Sequence, residues 1–430
     1  MLKKVNTYSE LRLFLIFFIL IFIIRSIFLQ FSLSKYPWFY EWEAMKYLVD
    51  IKDKNLDIFE FLKLYEIKNQ FQIFTKIIYL TLFKINNSIW YPKLFTILIQ
   101  IIPAIYLSII IKNLFKGNLN NNIIFYLLLF FSIIPASLAN FYHFSESHFY
   151  IHIFISILSF EAYLKFKNKL FKLSFVLLFL FVAAALNMEF VALTLYLTFA
   201  FFFLYRFIET LNKKFIFIFI LFIIFSLLYF QALYFFEIPV IKDGSQTIDK
   251  KLSRSFYLVF KVLFHQNSLI LGIFLISILL NLKFFFNELN KNVNRDFIIL
   301  VAIFFAIFTI AVSFSRIQIY DRYKDFIQLG GILTIYIFNI LYFKNKLLRY
   351  FFLTISVLLV TYNSLFFLDK FYERKIETIK YDKNLDKNIN AYLFKKEDIK
   401  ENNLDKYSQR FINQIKFSID NKILKIKYPN

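Results

Sequence analysis

Long apolar runs separated by short polar segments dominate the chain. The first run, Leu11 to Leu29, follows Lys3 and Lys4 and has about the 20 residues that a bilayer-spanning helix needs. Further runs lie at 89–111, 123–139, 149–164, 171–186, 190–205, 215–236, 269–286, 297–313, 326–343 and 350–368. The pattern predicts an all-α integral membrane protein with about eleven transmembrane helices, the first of them an uncleaved span.

The loops between these runs alternate in charge. One set is basic and comprises Lys112 and Lys116, residues 165–172, Arg206 with Lys213 and Lys214, Lys283 with Lys291 and Arg295, and Lys344 with Lys346 and Arg349. The other set holds acids, histidines and amides. Because short cytoplasmic loops carry an excess of Lys and Arg, the basic loops and the N-terminus are predicted to be cytoplasmic and the C-terminus exterior.

The first exterior loop, about residues 30–88, is long and partly amphipathic. Residues 56–67 place apolar side chains at helical spacing, which predicts a helix lying on the membrane surface. Residues 71–85 are more apolar but contain Lys76 and Lys84, and they are short for a full span. An interfacial helix is predicted here, since a further span would turn every later basic loop outward.

The character of the chain changes after Leu368. Residues 369–430 are rich in Lys, Asn, Asp and Glu and contain no run able to span a bilayer. Two regions are therefore predicted: a polytopic membrane domain over 1–368 and an exterior polar tail or small appended domain over 369–430. Alternating apolar and polar residues in 411–428 predict a short strand or a docking segment.

Composition supports the membrane class and excludes several others. Of the 430 residues 59% are hydrophobic, which is more than a soluble globular protein carries. The absence of cysteine excludes disulfides, thiolate metal sites and cysteine nucleophiles. The net charge of +22 is explained by the basic loops, so no nucleic-acid partner is expected.

Glu41 and Glu43 are the leading candidates for catalysis. They lie two residues apart, directly after the first span, on either side of Trp42, which is a candidate for lining the cavity. A carboxylate just outside the membrane can accept a proton from a hydroxyl group, or bind a divalent cation such as Mg or Mn that holds a phosphate leaving group. The alternative is a solvated loop whose aromatic residues lie at the headgroup level. Only one of the two acids is expected to face a cavity.

A second group of polar residues follows in two later exterior segments. Glu146 and His148 are candidates for lining a cavity, and His148 and His152 are four residues apart, as two metal ligands on one helix face would be. A helix–helix hydrogen bond is the ordinary alternative for His152. Glu189 follows an apolar run at the outer boundary, where it either faces the cavity or belongs to a plain loop.

Arg316, Arg322 and Lys324 are candidates for binding phosphate, because a guanidinium presents a planar pair of donors to phosphate oxygens. Anchoring to anionic headgroups is the alternative. Arg254 is a weaker candidate for the same role. Arg25, within the first run, is another, with its side chain extending outward to the interface.

The order of these features resembles the GT-C class of polytopic membrane glycosyltransferases, and more closely a set of bacterial inner-membrane proteins of that shape. The matching motifs are Trp42-Glu43, then Asn69 with Phe74-Thr75-Lys76, and Arg322-Tyr323-Lys324-Asp325-Phe326. The resemblance implies a sugar donor linked to a polyprenyl phosphate or diphosphate. It also implies an exterior active site in which the acid of the first loop is the base or the metal contact, with Tyr323 lining the cavity.

The resemblance also has gaps. Where that pattern has His, Glu, His and Arg around Asn69, this chain has Lys68, Gln70, Phe71 and Gln72, so those positions receive no role. Two other functions stay open: a glycan polymerase or ligase acting on lipid-linked oligosaccharide, and a membrane transporter or flippase. The short loop 315–325 counts against the first, and the scarcity of deep ionisable groups and of any internal repeat counts against the second.

Overall fold

Apolar runs of the sequence form helices in the part of the chain that the structure describes. The structure is a computed structural model, and it describes residues 7–32, 77–78, 81, 90–114, 148–186, 189–235, 287, 295–315, 346–395, 398–399 and 412–420. Within these ranges all regular structure is helical and no strand occurs. The helices are α1 (Thr7–Ser32), α2 (Trp90–Leu114), α3 (His148–Phe166), α4 (Leu170–Ala185), α5 (Glu189–Thr210), α6 (Lys213–Phe235), α7 (Arg295–Ser315), α8 (Lys346–Lys395) and α9 (Ile412–Asp420).

Two of the described helices are long and apolar enough to cross a membrane, over Ala192–Thr210 of α5 and Lys213–Ala232 of α6. Shorter apolar stretches occur in α1, α2 and α4. The predicted runs at 123–139, 269–286 and 326–343 lie outside the described residues, so the total of eleven spans stays a prediction.

Helix α5 is the centre of the bundle. It packs against α4, α6 and α7, while α3 packs against α2 and α4, and α1 packs against α2 and α8. Phenylalanine rings fill the α4–α5–α6 interface: Phe181 lies 5.0 Å from Phe222 and 5.5 Å from Phe199 between ring centroids, in tilted arrangements. Such aromatic pairs contribute about 0.5–1.5 kcal/mol each beyond their burial.

Contacts between side chains fix the relative directions of four helices. The ring pairs Phe160–Phe199 and Tyr163–Phe202 run in the same order along α3 and α5, so these helices are parallel. The pairs Phe203–Phe215 and Tyr196–Tyr229 run in opposite order, which makes α6 antiparallel to α5.

Helix α7 is antiparallel to α3, because Tyr163 near the end of α3 contacts Asp296 at the start of α7, while Phe160 contacts Phe304 further along. One end of the bundle therefore carries the C-termini of α3 and α5 and the N-termini of α6 and α7. We call it the basic end, because Lys165, Arg206 and Arg295 lie there.

A two-residue connection joins α5 to α6. Leu211 adopts a left-handed conformation with φ of 52°, and its N–H donates to the carbonyl of Phe207 at 2.7 Å. This is the helix-ending geometry in which glycine is usual, since a Cβ is disfavoured there. The side chain of Asn212 then accepts the N–H of Lys214 at 3.0 Å and so caps α6.

Helix α8 is 50 residues long and crosses the predicted boundary at Leu368 without a break. Its second half buries Tyr381, Leu385 and Ile389 against Ile399 and against Ile415 and Ile419 of α9. We call α8 from residue 378 onward, residues 398–399 and α9 the C-terminal unit. The division at 368/369 stays a prediction, but the polar segment contains a small apolar core.

The strand predicted within 411–428 is wrong over Ile412–Asp420, which is helical. Ile412, Ile415 and Ile419 are three and four residues apart, so a helix brings all of them onto one face against α8. Residues 423–428, which carry the clearest alternation, lie outside the described ranges.

Polar contacts add to this docking. Lys416 Nζ lies 2.5 Å from Asp398 Oδ1, and this hydrogen bond lowers the pKa of the Asp398 carboxyl. The Tyr392 hydroxyl donates to the Asp420 carboxylate at 3.1 Å. Both contacts are solvent-exposed, so they orient α9 more than they stabilise it.

Candidate functional site

Of the leading site candidates, the structure places the backbone of two, and it also describes the secondary candidates Arg25 and His152. His148 begins α3 and Glu189 begins α5. The others lie outside the described residues, and their roles stay predictions: Glu41, Trp42, Glu43, Glu146, Arg316, Arg322, Tyr323 and Lys324. Arg254 also lies outside them.

His148 and Glu189 lie at the same end of the bundle. Since α3 and α5 are parallel and Phe160 contacts Phe199, the two helices begin at similar levels, opposite the basic end. Glu189 is the first residue of a helix, where the positive end of the helix dipole favours a carboxylate. The structure therefore brings two predicted cavity residues to one end of the bundle.

An ion-paired cluster occupies the basic end. Arg206 Nη1 lies 2.7 Å from Glu209 Oε2 and 3.1 Å from Asp296 Oδ1. Glu209 also pairs with Arg295, and the Tyr163 hydroxyl donates to Asp296 Oδ2 at 2.9 Å. Two guanidinium groups thus balance two carboxylates, and α3, α5 and α7 are joined by charge-assisted hydrogen bonds.

The guanidinium of Arg206 also lies over the ring of Phe215, 5.5 Å from its centroid. This contact extends the cluster to α6. Because the charges compensate one another, the cluster has the character of a structural clamp and not of an anion-binding site.

A second polar contact joins α2 to α3. The Tyr106 hydroxyl donates to Glu161, and Lys165 Nζ lies 2.5 Å from Glu161 Oε1, one turn along α3. Glu161 is a carboxylate within a predicted span. It is paired with a cation and with a phenol, which offsets the cost of its partial burial.

Arg25 is buried, with 1% of its side chain exposed, and its Nη1 donates to Gln100 Oε1 of α2 at 2.5 Å. The expectation that Arg25 extends outward to the interface is therefore wrong. Moving a guanidinium from water into a membrane costs less free energy when the group is hydrogen-bonded within a helix bundle than when it faces hydrocarbon. Gln100 accepts that hydrogen bond.

His152 is also buried, with 1% exposed, one turn after His148 in α3. No three His, Cys, Asp or Glu side chains of the described ranges lie close enough together to hold a metal ion. The two acids predicted to contact a divalent cation, Glu41 and Glu43, are outside those ranges.

Sequence reasoning missed the acidic partners of the basic residues. It treated the Lys and Arg of the basic loops as topology signals and assigned nothing to Glu161, Glu209 or Asp296. Part of the signal was present: Glu161 and Lys165 are four apart, and Glu209 follows Arg206 by three. The pairing of Asp296 with Arg206, ninety positions apart, had no local signal.

Comparisons with known proteins leave the chain without an assigned family. No family model, no curated protein and no solved structure matches it. What the described structure defines is a class: an α-helical bundle containing two helices able to cross a membrane.

Proposed function

We propose that this protein is a GT-C-type glycosyltransferase of the bacterial inner membrane. It transfers a sugar from a polyprenyl-phosphate-linked donor to a cell-envelope glycan, lipid or protein acceptor on the exterior side. The chain crosses the membrane about eleven times, with the N-terminus in the cytoplasm and the C-terminus outside.

The outward faces of the bundle support the membrane location. In α6, large apolar side chains such as Phe217, Ile224 and Leu227 are exposed, and in α4 so are Phe171 and Phe175. Only 17% of the apolar stretch of α6 is buried. A soluble monomer rarely exposes apolar surface of that extent. In a bilayer, acyl chains would cover this surface.

The observation that carries the proposal is the distribution of residues along the bundle: the basic residues lie at one end, and the two described cavity candidates begin their helices at the other. Basic residues lie at one end, where Arg206 and Arg295 are neutralised by Glu209 and Asp296. At the other end His148 and Glu189 begin their helices, and the acids and histidines of the alternate loops are predicted to lie on that side too. Reactive groups confined to one side favour an enzyme that works in one compartment.

In the proposed reaction, Glu43 or Glu41 accepts the proton of the acceptor hydroxyl as its oxygen attacks the anomeric carbon. The bond from that carbon to the donor phosphate oxygen breaks, and the phosphate leaves with the bonding electrons. Arg322, Arg316 and Lys324 neutralise the charge that develops on it. A divalent cation, if the acids bind one, would supply the same neutralisation.

The test compares envelope glycans from cells that lack the protein and cells that express variants of it. Because a positioned base contributes roughly 10²–10⁴-fold, Glu41→Gln or Glu43→Gln, or the two together, is expected to lose one sugar from the glycan, as deletion does. Glu60→Gln, in the same loop, is the matched control and should restore it. Full restoration by the Glu41/Glu43 double variant would refute the assignment of the base.

A transporter or flippase is the second candidate, because Arg25 and His152 are ionisable side chains buried inside the bundle. It predicts a different outcome of the same comparison. Deletion would leave every glycosyl bond intact and trap complete lipid-linked glycan on the cytoplasmic leaflet, and Arg25→Gln would reproduce that trapping while Glu43→Gln would not.

A further inference from the structure

We infer that one continuous face of α8 contacts lipid as far as Ile379, about three turns beyond the end of its apolar run. This contact holds the C-terminal unit at the membrane surface. The inference rests on the membrane location proposed above. It assigns a lipid-binding surface to a segment that its charged composition marks as polar.

The surface is a stripe of exposed side chains. Over the apolar run its apolar members are Leu347, Tyr350, Leu358, Leu365 and Leu368, all exposed. At 3.6 residues per turn these positions fall within a sector about 80° wide, and Thr354 and Thr361 fall in the same sector. Both threonines are also exposed.

The stripe does not end at Leu368. Tyr372, Ile376 and Ile379 occupy the same sector and are also exposed, Ile376 by 40%. The next position on this face is Lys383, which is exposed and charged. Ile379 is therefore the last apolar residue of this face. The face stays apolar for eleven residues beyond Leu368, where the apolar run of the sequence ends.

No charged side chain of this segment lies within the stripe, and the nearest ones, Asp369 and Lys375, fall about 20° beyond its two edges in helical projection. Lys370 pairs with Glu373, with Nζ 2.6 Å from Oε2, and Arg374 pairs with Glu377 at 3.0 Å. In helical projection these four residues lie outside the stripe, and each pair is neutral. The face opposite the stripe is occupied as well, because Tyr381 and Leu385 pack against α9.

The length of the stripe fits a bilayer. From Leu347 to Ile379 it measures about 48 Å at 1.5 Å per residue, against about 30 Å for the hydrocarbon core and about 40–45 Å with the interfacial regions. A tilt of about 20°, the average for transmembrane helices, brings it within that total thickness. Tyr372 then lies about 13 Å from the bilayer centre, at the edge of the hydrocarbon core and close to the interface where tyrosine is enriched.

Lipid fits the stripe better than a second copy of the chain. Helices that associate within membranes do so through small residues that let backbones approach. The stripe consists of Leu, Tyr, Ile and Thr and contains no Gly, Ala or Ser. Its bulky side chains suit the irregular surface that acyl chains provide.

The test exploits the absence of native cysteine. Single variants Leu358→Cys, Ile376→Cys and Ile379→Cys are nitroxide-labelled, and the full chain is reconstituted in phosphatidylethanolamine–phosphatidylglycerol vesicles. Collision with oxygen, which partitions into lipid, is compared with collision with a water-soluble nickel chelate. All three sites should show an oxygen-to-nickel ratio severalfold higher than two matched controls: Glu377→Cys, on another face, and Lys383→Cys, one turn further along the same face.

Each other outcome overturns a defined part of the argument. If Ile376 and Ile379 resemble the controls while Leu358 favours oxygen, the inference fails and the membrane location stands. If Leu358 also favours nickel, the membrane location of α8 fails with it. Exclusion of both reagents from Ile376 and Ile379, with dipolar broadening between labels, would show that a second copy covers the stripe and would refute the lipid contact.

Discussion

At the scale of single residues, the described part of the chain pairs several of its ionisable groups inside the bundle. Arg206 binds Glu209 and Asp296, Glu161 binds Lys165, and Arg25 donates to Gln100. An ionised group in a low-dielectric surrounding loses several kcal/mol of hydration, and close partners offset most of that loss. The burial of Arg25 therefore depends on the presence of α2.

Asp296→Asn should destabilise the bundle by about 1–2 kcal/mol, because Arg206 loses one of its two carboxylate partners in a partly buried site. Tyr163→Phe, which removes only the hydroxyl donor to Asp296, should cost about 0.5–1.5 kcal/mol. The measurement is the free energy of unfolding of the reconstituted protein.

Asp369→Asn, at an exposed position of α8, is the control and should stay within about 0.5 kcal/mol of the wild type. A double-mutant cycle of Asp296→Asn with Arg206→Gln isolates the pair. A coupling energy of zero would contradict the ion pair.

At the scale of the element, helix ends and helix faces carry information that average hydropathy does not. Helix α8 shows this, since its lipid-side face stays apolar past Leu368 while its other faces are already charged. The α5–α6 connection shows it in another way. It reverses the chain in two residues although no glycine is present there.

Leu211→Gly should leave stability unchanged or raise it by up to about 1 kcal/mol. Removing the Cβ relieves roughly 1–2 kcal/mol of left-handed strain, and part of that is offset by the backbone entropy of glycine. Leu211 is 75% exposed, so little packing is lost. Thermal unfolding in detergent measures the effect.

Ile208→Gly, an exposed position within α5, provides the contrast and should lose about 1 kcal/mol. Equal losses from both glycine substitutions would show that Leu211 is not strained.

At the scale of the whole molecule, the proposed function depends on which end of the bundle faces the cytoplasm. Helix directions place the α3–α4 and α5–α6 connections at the same end. For the proposed membrane location, the positive-inside rule predicts that this end faces the cytoplasm.

Single-cysteine variants test this orientation in intact cells with a thiol reagent that does not cross the membrane. Lys167→Cys and Lys213→Cys should react only after the cells are opened, since both belong to the basic end. Asn187→Cys and Lys383→Cys should react in intact cells. Labelling of Lys167 and Lys213 from opposite sides would contradict the bundle, and labelling of both from outside would place the proposed active site in the cytoplasm.

Much of the described architecture could be predicted from the sequence, whereas little of the described polar structure could. Apolar runs of about 20 residues predict helices because a spanning segment must satisfy its backbone hydrogen bonds internally. The helical form of Ile412–Asp420 was not predictable in that way. The segment is short, and its apolar pattern fits more than one secondary structure. Packing of Ile415 and Ile419 against α8 favours the helix.

The sequence by itself determined the helical class, the positions of the described apolar helices and the alternation of basic and chemically reactive loops along the chain, since all of these follow from local composition and periodicity. Only the tertiary structure decided that Asp296 pairs with Arg206, that Arg25 turns inward to Gln100 and that the exposed stripe of α8 extends to Ile379. Each of these depends on which helix packs against which. Contacts between residues 75 to 90 positions apart leave no periodic signal in a single chain.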